Sequence, residues 1–289
     1  MNGFRPLWRI PRIVARERRH PQGRERIPEP MVMNDPDSVE EFHAGGASSA
    51  GMQAVYDLSA RALDALLPSG GRLLDLGVGS GRALSAVLHR RPDLKVTGVD
   101  LAPNMLATAR ELFVAEGLDG QVELVQADIT ALPERLATDA WDGLSCMWTL
   151  HQLPDVDVLH AALRQIAAVQ RNSGAAIWIF DFQRLRDPSA LPAMIACAEP
   201  STPPALRKDA IASEAAAFTQ AELSAGLAAA GLDDMLHGCA RPLPFYQAHW
   251  TRGTLEELGG RSEERRAHLH GRARSEAALL RCRFTAKPF

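Results

Sequence analysis

Residues 73–81 read Leu73-Leu74-Asp75-Leu76-Gly77-Val78-Gly79-Ser80-Gly81. No other stretch of the chain restricts its fold so strongly. A short apolar run closes on an acid, and three glycines follow at alternate positions. Arg82 to Arg90 then reads as a helix with Ala83, Leu84, Val87 and Leu88 on one face. Strand, tight glycine turn and helix form the opening unit of a parallel α/β nucleotide site. Glycine tolerates the unusual dihedrals of such a turn and lets a ligand approach the backbone. A tight turn that binds nothing would read the same way, so the spacing leaves both readings open.

Later acids narrow the choice. Lys95 to Val99 reads as a second strand with Asp100 at its end. That acid lies about 20 residues beyond the glycines, where a carboxylate can bind ribose hydroxyls. Val122 to Ala127 is a third predicted strand, closed by Asp128, and Asp142 to Met147 is a fourth. Trp148-Thr149-Leu150-His151-Gln152-Leu153 follows it, where ligand sites lie in open parallel sheets.

These segments resemble the class I, Rossmann-like S-adenosylmethionine-dependent methyltransferases. Asp75 before the glycines is similar to that family's first motif. A dinucleotide GxGxxG fingerprint fits less well, because Gly81 falls two residues after Gly79 rather than three. Asp100-Leu101-Ala102-Pro103-Asn104-Met105-Leu106 resembles the family's segment after the second strand, and Asp128 its acid after the third. The resemblance covers residues 62–232 and names no substrate.

The resemblance implies a Rossmann-like seven-stranded, mostly parallel sheet with helices on both faces. It also implies an N-terminal helical lid and an insertion after strand 5. S-adenosylmethionine is the implied cofactor. Asp75, Gly77, Gly79 and Gly81 would lie along its amino-acid end, and Asp100 would hold the ribose. Leu101 and Met105 would lie near the adenosine, although Met105 also reads as a packing residue. Asp128 and Ile129 resemble the adenine-binding pair; alternatively, Asp128 caps the turn through Thr130. Trp148 either packs against the cofactor or fills the core. Tyr56 and His43, in the lid region, are pocket candidates or packing residues.

His151 is the candidate catalytic residue. Imidazole can take a proton near neutral pH, and the segment resembles the family's substrate-facing one. A purely structural histidine fits equally. No Asn-Pro-Pro-Tyr or Asp-Pro-Pro-Tyr segment occurs here, which counts against the DNA-adenine and glutamine-directed branches.

Three divisions are expected. Residues 1–61 form a basic extension and helical lid, 62–260 the cofactor-binding domain, and 261–289 a basic C-terminal extension. An Ala- and Pro-rich insertion at 183–217 is where such proteins vary substrate selection. Within the first division, helices are predicted at 10–19, 37–43 and 53–67, with a pliable glycine-rich stretch at 45–51. Asp181 and Phe182 are expected at the exposed end of a fifth strand, 175–180. Thr219 and Glu222 have capping-box spacing. Two last strands are predicted at 235–239 and 245–250, and a helix at 262–280.

Charge separates the function classes. The net −3 hides eight arginines against two glutamates in residues 1–26, and eight basic residues against three glutamates in 261–289. Residues 27–260 hold 16 basic and 30 acidic residues, a formal −14. That middle is a poor nucleic-acid surface. The basic ends could contact nucleic acid, an acidic partner or the acidic body of the same chain; two solvated tails fit equally. No apolar run reaches the ~20 residues of a membrane span. Four scattered cysteines without a CxxC pair favour a reduced, cytoplasmic protein and indicate no metal site. A homodimer is left open.

Methyl transfer from a sulfonium needs alignment and water exclusion more than acid–base machinery. The leading expectation is therefore methylation of an O, N, S or C nucleophile on a small molecule. An RNA- or protein-directed enzyme docking through the basic ends is the alternative. A scaffold that retains the fold without catalysis is the third reading.

Overall fold

The computed structural model describes residues 6–31, 33–200 and 202–251. The predicted C-terminal helix, the 261–289 extension and Cys282 lie outside them. Helices α1 (Ile10–Arg19), α2 (Pro36–Ser48) and α3 (Ala50–Leu66) precede the sheet. Five strands then alternate with four helices: β1 (Arg72–Leu76), α4 (Arg82–Arg90), β2 (Lys95–Asp100), α5 (Pro103–Ala115), β3 (Val122–Gln126), α6 (Glu134–Thr138), β4 (Gly143–Met147), α7 (Val156–Ser173) and β5 (Ala176–Phe182). Helices α8 (Ala190–Ala198) and α9 (Pro204–Ala216) form the insertion. α10 (Gln220–Ala229), β6 (Leu236–Cys239) and β7 (Tyr246–Trp250) complete the described fold.

The seven strands lie in the order β3-β2-β1-β4-β5-β7-β6. Pairs among the first five are parallel, while β7 runs antiparallel to both β5 and β6. The chain begins in the middle, steps outward to β3, and returns to place β4 beside β1. That reversal opens a crevice at the carboxyl ends of β1 and β4, where α/β sheets bind ligands.

Strand periodicity divides the core. Successive side chains point to opposite faces, so Leu74, Leu76, Leu144, Cys146, Ile177 and Ile179 pack with α7 and α10 residues such as Leu163, Ile166 and Leu227. Leu73, Met147, Trp178 and Phe180 face the other side, with Leu58, Leu63, Leu84 and Leu88 of α3 and α4. Gly143 occurs inside β4 because Leu67 fills its side-chain space; a Cβ there would lie 2.2 Å from Leu67 Cδ2. The capping box at Thr219 and Glu222 starts α10 as its spacing predicts.

Two local expectations are corrected, and one open choice is narrowed. The stretch 45–51 is mostly helical: α2 continues through Gly45 and Gly46 to Ser48, and Ser49 caps α3. Glycine is needed there for space, since a Cβ at Gly46 would lie 2.7 Å from the Tyr56 hydroxyl. β5 runs on to Phe182, and Asp181 is buried rather than exposed because it accepts hydrogen bonds from three donors nearby. The arginine-rich N-terminus also folds onto the body. Arg24 pairs with Glu214 at 2.7 Å, and Arg16 pairs with Asp187. Among the described residues, no helix is long and apolar enough to cross a membrane.

Candidate active site

The glycine turn leaves β1 and enters α4 with all three glycines in the left-handed region, at φ 76°, 54° and 81°. Each glycine has its own reason. At Gly77 a Cβ would sit 2.1 Å from Thr149 Oγ1, so β1 and the β4 loop touch backbone to side chain. At Gly81 it would press on Phe113 at 2.8 Å. Gly81 therefore packs against α5 and does not border the cavity, unlike its sequence-based assignment. Gly79 has nothing within 4 Å and faces the crevice. It is the position where a ligand can approach the turn.

Three acids border the same cavity as this turn. Asp100 Oδ2 accepts a hydrogen bond from Gly79 N at 2.8 Å and its Oδ1 accepts one from Ala102 N at 2.9 Å. The carboxylate is fixed by backbone and retains lone pairs toward the cavity. Asp128 Oδ1 accepts from both the amide and the hydroxyl of Thr130. The turn-capping role is thus real, and the same residue borders the cavity with Ile129. Asp75 is buried and accepts the Ser145 hydroxyl at 2.5 Å. Burial pushes it up to about 7, opposed by that hydrogen bond and reinforced by Asp100.

These residues border one cavity of about 310 Å³. Tyr56, Leu101, Met105 and Trp148 also line it. Trp148 has φ 52°, the left-handed conformation in a bulky residue, of the kind that collects at functional sites. Its ring is edge-on to Tyr56 at 5.5 Å and stacked on Phe182 at 6.3 Å. Trp148 Nε1 and the buried Ser80 Oγ have no hydrogen-bond partner among the described residues. Unpartnered buried polar atoms on a cavity wall are places where a ligand supplies the missing bond. His43 stays outside the cavity: its Nε2 lies 2.7 Å from Arg82 Nη2.

The other half of the cavity is less regular. Met31 and Met33 come from the segment before α2, Met194 and Ile195 from α8, and Leu206 and Asp209 from α9. His151 lies between the halves. Its Nδ1 is 2.6 Å from Asp181 Oδ1 and its Nε2 is 3.2 Å from Glu29 Oε1. The Asp181 carboxylate also accepts the His151 backbone N–H at 3.0 Å. Burial alone would lower the imidazole, but Asp181 and then Glu29 outweigh it and raise it to about 10. At neutral pH His151 is an imidazolium with both nitrogens engaged, not a free base.

An N-terminal strap supplies this arrangement. Arg26 donates to the carbonyls of His151 at 2.8 Å and Pro154 at 2.6 Å, and also to those of Leu153 and Ala216. Its guanidinium lies 4.1 Å from the centre of the Phe218 ring. Sequence reasoning missed Glu29, Arg26 and Asp209. Their only signal was charge inside segments that lack motifs.

Comparison with known proteins agrees with the geometry. Residues 73–174 match a family model described as a methyltransferase domain. A phosphatidylethanolamine N-methyltransferase of Cereibacter sphaeroides is 32% identical over 121 residues, covering 42% of this chain and 56% of that one. A demethylmenaquinone methyltransferase of Thermus thermophilus is 34% identical over 109 residues, 37% of this chain and 48% of that one. A SAM-dependent methyltransferase from Aquifex aeolicus shares the fold with a TM-score of 0.51 at 17% identity, over 75% of this chain and 98% of that structure. Residues 73–174 are thus similar to a methyltransferase domain, on a fold shared with a SAM-dependent methyltransferase. The chain spans about half the length of the curated relatives it matches.

The residues present fit S-adenosylmethionine. The open face of Gly79 admits a chain-like ligand against the turn. The pinned Asp100 can accept from two hydroxyls, and Asp128 Oδ2 has no partner among the described residues. The orphaned Ser80 and Trp148 atoms lie on the same walls.

Proposed function

We propose that this protein transfers a methyl group from S-adenosylmethionine to a nucleophile on a small-molecule acceptor. One observation carries the reading. A single cavity joins the glycine turn and its acids to an apolar wall built by the insertion and the N-terminal strap. Both reactants can therefore meet away from bulk water, as group transfer requires.

In this reading Asp100 would hold the ribose hydroxyls and Asp128 the adenine amine. The backbone at Gly77 and Gly79 would lie along the amino-acid end. When bound, the cofactor supplies a methyl group already activated by its positive sulfur. Trp148 and Tyr56 would wall off the reacting region. His151 would position the acceptor side through its fixed charge and its contact with Phe182, whose ring lies edge-on at 5.4 Å.

Calorimetry with S-adenosylmethionine, S-adenosylhomocysteine and NAD tests the cofactor half. Stoichiometric binding of the first two and none of NAD is expected; the reverse order defeats the proposal. A metabolite extract incubated with labelled methyl donor should yield a labelled small molecule. Label found only in protein or RNA would favour a macromolecular acceptor instead.

A further inference from the structure

Asp209 stands out on the acceptor wall. It lies on α9 and lines the cavity. Its carboxylate makes no hydrogen bond or ion pair with any described residue. Its charged neighbours are Glu29 and His151. The His151 charge is already engaged, with Asp181 on one nitrogen and Glu29 on the other. Arg241 also borders the cavity but is exposed. The adjacent Arg207 donates to the carbonyls of Pro200 and Thr202. Among the described residues, Asp209 therefore has no committed counter-charge.

The rest of the cavity that it lines describes what would supply one. Met194, Ile195 and Leu206 give the wall an apolar surface. Phe182 and Tyr246 add aromatic rings 5.2 Å apart. Aromatic faces attract cations, more strongly when the site is dry. Burial, then Glu29, raises the Asp209 carboxyl to about 6, with His151 opposing. Asp209 is half-buried, and a carboxylate withdrawn from water without a counter-charge among the described residues is one that a cationic ligand stabilises. A carboxylate ligand would be repelled. A neutral hydroxyl would leave the charge uncompensated.

We propose that the acceptor bound in this cavity is an amine with an apolar body, held as its ammonium against Asp209. The inference rests on the methyltransferase reading of the same cavity and adds the class of acceptor. Asp209 is then the residue that selects amines over isosteric alcohols.

The test titrates the full-length protein, saturated with S-adenosylhomocysteine, by calorimetry. The probes are 2-phenylethylamine and n-hexylamine, each paired with its alcohol, 2-phenylethanol or 1-hexanol. Each amine should bind about 10- to 100-fold more tightly than its alcohol, the range of a hydrogen bond to a charged group. Asp209→Asn preserves shape and should abolish that preference while leaving alcohol affinity within about twofold, because only the charge is removed. Equal binding of amine and alcohol overturns the proposal. So does an amine preference that survives in Asp209→Asn, even if the melting temperature falls, since that marks a structural role. Failure of every amine to bind a protein that binds S-adenosylhomocysteine also overturns it. If S-adenosylhomocysteine itself fails to bind, the methyltransferase reading falls, and the same titrations without it still decide Asp209.

Discussion

The His151 ion pairs should make stability depend on alkaline pH in a specific way. In the folded chain the imidazole is raised from its ordinary 6.5 to about 10, with Asp181 and Glu29 overcoming burial. A folded-state value above the unfolded one means that the native state binds the proton more tightly. The contribution is therefore complete below about 6.5 and declines by ~1.4 kcal/mol per pH unit above it. It is lost once the pH passes about 10. The full amount is on the order of 4–5 kcal/mol as an upper bound, a large fraction of a typical domain's stability. Urea melts at intervals from pH 6.5 to 10 should show the decline. Other groups titrate in this range, so the informative quantity is the difference from variants. His151→Gln should flatten the slope, and Glu29→Gln should flatten it in part by removing one of two carboxylates. If Glu29→Gln and His151→Gln both keep the wild-type slope, the imidazolium assignment is wrong. The same charge state predicts that turnover will show no His151 limb near pH 6.5.

Three further outcomes follow from the geometry. Asp100→Ala should weaken S-adenosylhomocysteine binding by ~1–3 kcal/mol, the worth of hydrogen bonds to a charged group; unchanged affinity in calorimetry would remove the ribose assignment. Gly77→Ala must accommodate φ 76° and a Cβ 2.1 Å from Thr149 Oγ1, so it should lower the melting temperature and largely abolish cofactor binding, whereas a variant with wild-type values in both would refute the clash. Arg26→Ala exposes the carbonyls of four residues to an empty space and should cost ~2–4 kcal/mol in urea unfolding; a loss below ~0.5 kcal/mol would show that water replaces the guanidinium.

The sheet and the cofactor half were legible because each is written locally. Short strand patterns carried or met acids at Asp75, Asp100 and Asp128, and the glycines lay between a strand and a helix. Each signal needed only its own neighbours. Gly81 shows the limit of motif reading: its spacing placed it in the site, while its φ and the Phe113 ring make it a packing residue. Gly45 and Gly46 show the opposite error. Two adjacent glycines imply flexibility locally, but contacts with Leu206 and Tyr56 from distant helices require them inside α2.

The acceptor half was not legible, because its partners are far apart in the chain. His151 was found as a residue but not as a charge state. Nothing near position 151 reveals Glu29, 122 positions earlier, or Asp181, 30 later. The basic N-terminus left three partners open by composition, and the structure shows the intramolecular one for Arg16, Arg24 and Arg26. This decides what truncation should do. Removing 1–26 takes away Arg26, which holds the loop that carries His151, and cuts the strap just before Glu29. Such a truncation should spare Asp100 and Gly79, and hence S-adenosylhomocysteine binding, while weakening any ligand of the acceptor half. Calorimetry separates the two halves directly. Equal loss of both ligands would mean that the strap supports the whole cavity. Loss of neither would mean that the Arg26 and Glu29 contacts do not shape it.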